Sequence, residues 1–411
     1  MPGGFRIGRI FGIEIDINWS WIFIFLLVTF DLAVGVFPAL HPEWSPLLNW
    51  GLGIAASLLF FSSVLAHEIA HSLVARSRGL PVDRIVLFIF GGVSNIEREP
   101  ASAGTEFLMA IVGPLTSIVL GVFFLFLGVA SAGGFQAILL APGEILAGLS
   151  PLSTLLLWLG PINILLGLFN LLPGFPLDGG RVFRSIIWAI TNDLKRATRY
   201  ASWVGQGFGW LFVAIGIAMV FGIAVPFFGA SLIGGFWLIF IGWFLASIAS
   251  QGYEQVVIED VLKDVSVSQI MRTRYPSVSP QISVNQLVNE HIMGTEERTF
   301  PVMEGKQLLG IVSLDDVRKV TRDRWQEVKV EEIMTSRDEL KVVGPKDGAV
   351  EALRIIAAED INQLPVVEDS RLIGIISRRD IILWLQLRSE GKEVSVSFYI
   401  FLNLPSSFYN F

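Results

Sequence analysis

A short segment near residue 70 has the residue types and spacing of a zinc-binding helix. It reads His67-Glu68-Ile69-Ala70-His71. On a helix, residues four apart lie on one face, so the two imidazoles can bind the same zinc ion. Glu68 then lies beside the ion, where a carboxylate can act as general base in peptide-bond hydrolysis. Two plainer interpretations use the same residues, namely a polar face packed against another helix and a proton relay.

The segment around this motif is apolar enough to cross a membrane. The 411-residue chain is 53% hydrophobic and only 16% charged, whereas soluble domains average about 25% charged residues. Six stretches approach the ~20 apolar residues that a spanning helix needs. They lie near residues 17–37, 52–75, 105–130, 154–172, 203–221 and 230–250. Because ionisable residues inside a span are costly, this placement favours a functional role for the motif.

A catalytic zinc needs a third protein ligand and one open position for water. The chain has no Cys, and His41 and His291 lie outside the predicted spans, so a carboxylate must supply the third ligand. The best candidate is Asp178, in the segment FNLLPGFPLDGGR just after the fourth span. The prolines and glycines of this segment predict an irregular backbone that folds back toward the motif. The alternative is that Asp178 is a turn residue before glycine.

The distribution of Lys and Arg predicts the orientation of the chain in the membrane. Residues 1–250 contain 11 of the 30 Lys and Arg, and these precede the first span or lie in the second–third and fourth–fifth loops. Cationic loops stay on the cytoplasmic side. We therefore expect a multi-pass protein of the cell membrane with a cytoplasmic N-terminus and a cytoplasmic C-terminal part. The net charge of −7 gives no indication of nucleic-acid binding.

Four segments of the membrane part form a recognisable combination: HEIAH, FNLLPGFPLDGGR, the FGG of VLFIFGGVSNI and the opening GIEIDINWSWIFIF. Together they resemble the site-2 protease family of intramembrane zinc metalloproteases, over residues 5–250. The resemblance implies zinc bound by His67, His71 and Asp178, with Glu68 catalytic. It also implies that Asn170 lies by the zinc and helps to hold the substrate or the developing oxyanion. Asn170 could instead cap or bridge helices.

The family resemblance also implies a substrate, a single-span membrane protein that is hydrolysed in or near its transmembrane segment during regulated proteolysis. Such a segment must lose its helical structure before it can be cut. Residues 82–96 are too short and too β-branched for a span, and they predict a strand or re-entrant hairpin closed by Gly91-Gly92. An exposed edge of this hairpin could pair with the unwound substrate. The plainer interpretation is a structural hairpin that plugs the helix bundle.

The C-terminal part contains an internal repeat. Ile270-Met271 recurs as Ile333-Met334, and GIVSLDD from residue 310 recurs as GIISRRD from residue 374. Short apolar strands alternate with amphipathic helices in both copies. This pattern resembles a tandem pair of CBS domains over residues 262–388, with copies at 262–322 and 326–388.

The CBS resemblance implies that adenosine nucleotides bind in clefts between the two copies. Ser313 and Ser377 would meet phosphate, and Asp316 and Asp380 would meet the ribose hydroxyls. The alternative for both serines is helix N-capping. A homodimer formed through the CBS domains is a further prediction.

The predicted fold is therefore a multi-pass α-helical membrane protein with about six transmembrane helices and a cytoplasmic α/β tandem CBS module. Its parts are a protease domain (1–250), a linker (251–261), the CBS pair (262–388) and a tail without an assigned role (389–411). The predicted function is zinc-dependent intramembrane proteolysis, modulated by nucleotide. One alternative is a CBS-gated transporter or channel with a metal site, but the sequence lacks the inverted repeats typical of transporters. Another is a metal-sensing scaffold with an inert zinc, which would not need Glu68.

Overall fold

The computed structural model describes residues 4–96, 100–133, 148–226, 229–295, 297–305, 307–359, 361–369 and 371–388. The tail at 389–411, to which the sequence assigned no role, lies outside the described residues. The chain divides into two compact units between Val256 and Val257.

Six helices in the described part of the chain are long and apolar enough to cross a membrane, as the hydropathy predicted. They are α1 (Trp19–Leu40), α2 (Pro46–Ser77), α3 (Ala103–Ser131), α4 (Pro151–Asn170), α6 (Leu194–Val220) and α7 (Leu232–Leu262). A shorter amphipathic helix, α5 (Asp178–Thr191), lies between the fourth and fifth of these. Within α1, residues Asp31–Val36 form a π-helical stretch.

The starts of three spans follow from local capping chemistry. Ser45, Ser102 and Ser150 are the N-cap residues of α2, α3 and α4, and each hydroxyl accepts a hydrogen bond from a backbone N–H in the first turn. These bonds satisfy amides that have no partner within the helix. Proline at the first helical position of α2 and α4 adds a backbone angle that is already helical.

Helices α3 and α4 pack closely because glycine faces the partner helix on both sides. A Cβ atom on Gly121 would lie 2.6 Å from the Ile164 side chain, and one on Gly160 would lie 2.9 Å from Leu125. Small residues of this kind allow backbones to approach in a membrane, where van der Waals contact drives association. The close packing fixes α3, the helix that supports the site described below.

The first unit contains a four-stranded sheet in the order β1 (Gly4–Ile10), β2 (Ile13–Asn18), β3 (Val82–Phe88) and β4 (Gly91–Ile96). The first two strands come before α1 in the chain, and the other two follow α2. Strands β2 and β3 are parallel, and the two outer pairs are antiparallel. The hairpin predicted at 82–96 is confirmed, but its turn is wrong. Residues 89 and 90 form the turn and Gly91, with φ of 130°, already opens β4.

Two further local predictions are corrected. Gly179-Gly180 is not irregular, because both residues belong to the first turn of α5. The glycines are needed for close contact instead, since a Cβ on Gly180 would collide with the backbone of Gly174. The segment 251–261, predicted as a linker, consists of the last turns of α7. Ile258 and Leu262 of these turns are buried in the core of the second unit.

The second unit repeats one supersecondary pattern. The antiparallel hairpins β5 (Thr299–Glu304) with β6 (Gln307–Ser313) and β8 (Gln363–Glu368) with β9 (Arg371–Ser377) have the same register and a bulge at the same place. The sheet order is β5-β6-β9-β8, and the short strand β7 (Thr335–Ser336) pairs with β6. Helices surround it: α8 (Val267–Ile270), α9 (Val284–Gln286), α10 (Leu314–Arg318), α11 (Val330–Ile333), α12 (Ala349–Ala358) and α13 (Arg378–Arg388). This arrangement confirms the predicted α/β repeat.

Candidate metal centre

Two elements far apart in the sequence bring three potential ligands together. Helix α2 presents His67 and His71 one turn apart, and both side chains are buried. Asp178 is the first residue of α5. The three residues form the only metal-binding group of histidines and acidic residues found among the described residues.

The three ligand atoms form a compact triangle. His67 Nε2 lies 2.9 Å from Asp178 Oδ2, His71 Nε2 lies 3.2 Å from the same oxygen, and the two nitrogens are 3.1 Å apart. Ligands around a tetrahedral zinc with bonds of about 2.0–2.1 Å stand roughly 3.3 Å from one another. The observed separations therefore fit a zinc ion after outward shifts of a few tenths of an ångström.

Hydrogen bonds to the opposite ring nitrogens orient both imidazoles. His71 Nδ1 lies 2.6 Å from the Met109 carbonyl oxygen, which can only accept, so Nδ1 carries the proton and directs Nε2 toward Asp178. His67 Nδ1 lies 2.9 Å from the Ser117 hydroxyl. Outer partners of this kind fix the tautomer and the ring orientation of metal-binding histidines. Both partners belong to α3, and neither was identified from the sequence, where only a polar serine near Gly113-Pro114 within a span could have suggested them.

A glycine on α3 leaves the space in which the ligands meet. A Cβ atom on Gly113 would collide with His71 Nε2 and would lie 2.6 Å from His67 Nε2. Any other residue at this position would therefore occupy the region between the ligands. The missing side chain supports the interpretation of the triangle as a built metal site rather than a chance cluster.

The predicted general base lies beside this triangle and against β4. Ser94 Oγ on β4 donates a hydrogen bond of 2.9 Å to Glu68 Oε2. A Cβ on Gly92 would collide with the Glu68 side chain, so this glycine also makes room for the carboxylate. The last strand of the sheet thus contacts the catalytic candidate directly, a relation that the sequence did not reveal.

Helix α6 holds the loop that delivers Asp178. The Phe175 N–H donates to the Ala201 carbonyl oxygen at 3.3 Å, and a Cβ on Gly205 would collide with the Phe175 backbone. The carboxylate is the form of Asp178 that binds a cation.

Asn170, the second predicted catalytic residue after Glu68, is the last residue of α4. Its side-chain amide donates to the Leu166 carbonyl oxygen at 3.0 Å, within its own helix. This bond lies within one turn of the helix, and both the role toward the substrate and the alternative of capping or bridging helices stay predictions.

The predicted nucleotide residues of the second unit form two equivalent capping motifs. The Ser313 hydroxyl lies 2.6 Å from Asp316 Oδ2 and accepts from the Asp316 N–H at 3.3 Å. Ser377 and Asp380 make the matching bonds, with the Ser377 N–H 3.0 Å from Asp380 Oδ2. Capping, the alternative for both serines, is thus confirmed as one role, whereas phosphate and ribose contacts stay predictions.

The two carboxylates differ in their cationic partners. Lys319 Nζ lies 2.9 Å from Asp316 Oδ1 within the same helix end. Arg272, from the first copy, reaches Asp380 Oδ2 at 3.1 Å and Glu297 at 2.7 Å. The two Ser–Asp motifs therefore differ in the charged residues that contact them.

A bundle of spanning helices that holds a His-Glu-x-x-His helix against a carboxylate as third ligand is the site of a membrane-embedded metallopeptidase. The model of peptidase family M50 matches residues 55–215, and the CBS domain model matches residues 267–323 and 330–387. Among related chains, sll0528 of Synechocystis sp. is 36% identical over 94% of this chain and 96% of its own length. Rip3 of Mycobacterium tuberculosis is 30% identical over 93% of this chain and 92% of its own length. Both carry the name of a zinc metalloprotease.

The chain belongs to peptidase family M50, the site-2 protease family, and carries a tandem CBS pair. It is a zinc metalloprotease of the site-2 type with multiple membrane helices. Among solved structures, the site-2 protease from Methanocaldococcus jannaschii matches with 26% identity and a TM-score of 0.39, over 61% of this chain and 95% of that chain.

Proposed function

We propose that the chain hydrolyses a peptide bond in or near the transmembrane segment of a single-span membrane protein, with one zinc ion held by His67, His71 and Asp178. The observation that carries the proposal is the triangle of ligand atoms, with edges of 2.9 to 3.2 Å, inside a spanning helix bundle. Two imidazole nitrogens and a carboxylate oxygen this close together are a ligand set that zinc accepts.

When bound, zinc supplies a Lewis acid that makes a water molecule nucleophilic near neutral pH. Glu68 accepts the proton of the attacking water and later delivers it to the leaving amine. The hydrogen bond from Ser94 holds the Glu68 carboxylate beside the ligands. We assign Asn170 to the substrate or the oxyanion, which requires its amide to leave the Leu166 carbonyl.

We propose that the N-terminus, α5 and the CBS module face the cytoplasm. The cations of residues 1–250 support this orientation, because they lie in the segments that this topology makes cytoplasmic. His67 lies ten residues before the end of α2 at Ser77, which corresponds to ~15 Å of helix. With this proposed orientation, the site belongs to the cytoplasmic half of the span. We therefore expect cleavage toward the cytoplasmic half of the substrate segment.

We propose that β4 presents the substrate. It is the last strand in the sheet order and pairs on one side with β3. Its Ser94 contacts Glu68, so an extended segment added along β4 would run past the catalytic carboxylate. Main-chain pairing of this kind holds a substrate in extended form without a specific side-chain sequence.

We propose that the CBS pair binds an adenosine nucleotide through Ser313, Asp316, Ser377 and Asp380 and thereby modulates proteolysis, and that it can also form a homodimer. The paired Ser–Asp motifs support this assignment, since each places a carboxylate and a hydroxyl at the start of a helix. Calorimetry with AMP, ADP and ATP tests binding. No heat at millimolar nucleotide would reject the nucleotide role.

The metal assignment is tested by elemental analysis of the purified chain. We expect stoichiometric zinc in the wild type and its loss in a double variant with His67→Ala and His71→Ala. The His291→Ala variant, whose side chain belongs to the second unit, is the control and should retain zinc. Full zinc content in the double variant would refute the ligand set.

A further inference from the structure

One face of α3 supports every part of the metal site. Glu106, Met109, Gly113 and Ser117 follow one another at helical spacing along this face. The last three contact the histidines, through the Met109 carbonyl, the space above Gly113 and the Ser117 hydroxyl. Glu106, in the first turn of the helix, contacts neither histidine in the described interactions.

Glu106 is instead bonded to the helix that carries Asp178. Arg184 Nε of α5 donates to Glu106 Oε1 at 2.6 Å, and a second guanidinium nitrogen approaches the same oxygen. The two residues are 1% and 6% exposed, so the ion pair is buried. Buried charges persist only when they are paired, and removal of one partner leaves the other uncompensated.

The guanidinium of Arg184 also contacts the loop before α5. It stands over the Phe175 ring, 5.1 Å from the ring centroid. Arg184 therefore touches α3 on one side and the loop leading to Asp178 on the other. It lies six residues after Asp178, which corresponds to ~9 Å along α5.

The start of α5 suggests why the ion pair between Glu106 and Arg184 is present. Asp178 is at the very start of α5, and its N-cap residue, Leu177, offers no side-chain hydrogen bond to hold that end. A tilt of α5 would move Oδ2 away from the two Nε2 atoms. The buried ion pair at Arg184 opposes such a tilt with a charged contact to the same helix that orients both histidines.

We propose that Glu106 and Arg184 are positioning residues that set the place of Asp178, the third metal ligand. The proposal rests on the metal site described under Proposed function. Neither residue touches the metal or the substrate, and both act through the orientation of α5.

The test measures zinc affinity, by competition with a chromogenic chelator, and the visible spectrum of the cobalt-substituted full-length chain. In Glu106→Gln we expect zinc affinity to fall about tenfold or more, as for outer partners of metal ligands. The cobalt spectrum should also change, because one ligand is displaced. Arg184→Lys keeps the charge but not the planar two-nitrogen contact, so we expect a smaller loss of affinity. This variant also serves if Glu106→Gln does not fold.

A matched control separates positioning from general destabilisation. Thr29 Oγ1 donates to Ser57 Oγ at 2.9 Å between α1 and α2, in a buried contact away from the ligands. Thr29→Val should lower the unfolding temperature without changing zinc affinity or the cobalt spectrum. If Glu106→Gln and Arg184→Lys behave like Thr29→Val, the pair is only structural and the proposal is overturned.

A double-mutant cycle with Asp178→Ala decides whether the pair acts through that ligand. We expect Glu106→Gln to cost little affinity once Asp178 is absent. An equal loss with and without Asp178 would overturn the positioning role. If Asp178→Ala itself leaves zinc affinity unchanged, the ligand set of the proposed function fails, and the positioning role fails with it. A loss in Asp178→Ala but none in Glu106→Gln or Arg184→Lys rejects the positioning role alone.

Discussion

The residues of the metal site divide into those that would hold the ion and those that keep them in place. His67, His71 and Asp178 offer the ligand atoms, while Ser117 and the Met109 carbonyl fix the two rings. Glu68 is not one of the ligands, and its carboxylate accepts a hydrogen bond from Ser94. This separation allows metal binding and proton transfer to be tested independently.

Glu68→Gln should retain zinc and lose proteolysis. The change keeps the shape of the side chain and a hydrogen bond to Ser94, but it removes the group that accepts a proton. We expect cleavage of a single-span substrate to fall about 10²-fold or more. Zinc content and unfolding temperature should match the wild type, and undiminished cleavage would exclude Glu68 from catalysis.

Gly113→Ala should abolish stoichiometric zinc binding. The added Cβ would collide with His71 Nε2 and displace the rings from Asp178. Gly104→Ala, in the same helix, is the matched control, since nothing lies within 4 Å of its Cβ position. Elemental analysis of both variants checks the prediction, which would be wrong if the two retained equal zinc.

At the scale of elements, the last strand of the sheet contacts the candidate general base. Strand β4 contacts α2 through Glu68 and Ser94 on one side and pairs with β3. Strand β1 is the other outer strand of the sheet, and its residues are exposed. Substrate pairing can therefore be compared between the two outer strands, β4 beside Glu68 and β1 at the opposite edge of the sheet.

The proposed role of β4 can be tested by disulfide crosslinking, because the chain has no Cys. We expect Val93→Cys on β4 to crosslink to a cysteine in the cleaved region of a substrate, in a Glu68→Gln background that prevents turnover. Ile7→Cys on β1, a residue 57% exposed, is the matched control and should not crosslink. Equal crosslinking at both positions would argue against substrate pairing at β4.

The stability of the second unit should depend on pH through Asp316, which forms the N-terminal cap of α10 with Ser313. Burial would raise the pKa of Asp316, but hydrogen bonds from Ser313 and Lys319 outweigh it and hold that pKa below its usual value. A carboxyl with a lowered pKa in the folded state contributes stability above its unfolded value, near 4, and loses it as the pH falls through the folded value.

We therefore expect Asp316→Asn to lower the urea midpoint of this unit by an amount that is largest at neutral pH. The difference from the wild type should shrink as the pH falls below about 4, where Asp316 becomes protonated in both states. Pulsed hydrogen exchange of peptides from β6 and α10 measures the midpoint. Asp315→Asn, which changes an exposed pair with Arg318, is the control and should have little effect. A difference that does not depend on pH would contradict the assignment.

At the scale of the whole molecule, one helix belongs to both units. Helix α7 extends from Leu232 to Leu262, and its last turns contribute buried residues to the core of the CBS unit.

A chain that ends at Gln255 should keep zinc and part of its proteolytic activity but lose any response to nucleotide. The division between Val256 and Val257 leaves the first unit intact in this shortened chain. Nucleotide can shift activity in the full chain only by its difference in affinity for two states. Cleavage assays with and without AMP or ATP check both forms. An unchanged nucleotide response in the shortened chain would exclude the CBS pair as the regulator.

Features with local signals could be predicted from the amino-acid sequence alone. The spacing of His67 and His71 places both on one helix face, hydropathy locates six spans, and the repeated Ser–Asp motifs mark two copies of one module. Helical periodicity and hydrophobic length are properties of contiguous residues, so they can be read without knowledge of the fold. Asp178 could be nominated because only a carboxylate remained to complete the ligand set.

The contacts between these parts became known only from the three-dimensional fold. Asp178 approaches His67 across 111 residues, Ser117 orients His67 across 50, and Glu106 binds Arg184 across 78. Contacts of this range depend on helix packing, which no local pattern encodes. The same limit explains the errors at Gly179-Gly180 and Gly91-Gly92. In a sequence, glycine indicates irregular backbone. In this fold, Gly179 and Gly180 are needed because they pack directly against other backbone, and Gly92 is needed because the Glu68 side chain occupies the space of a Cβ atom.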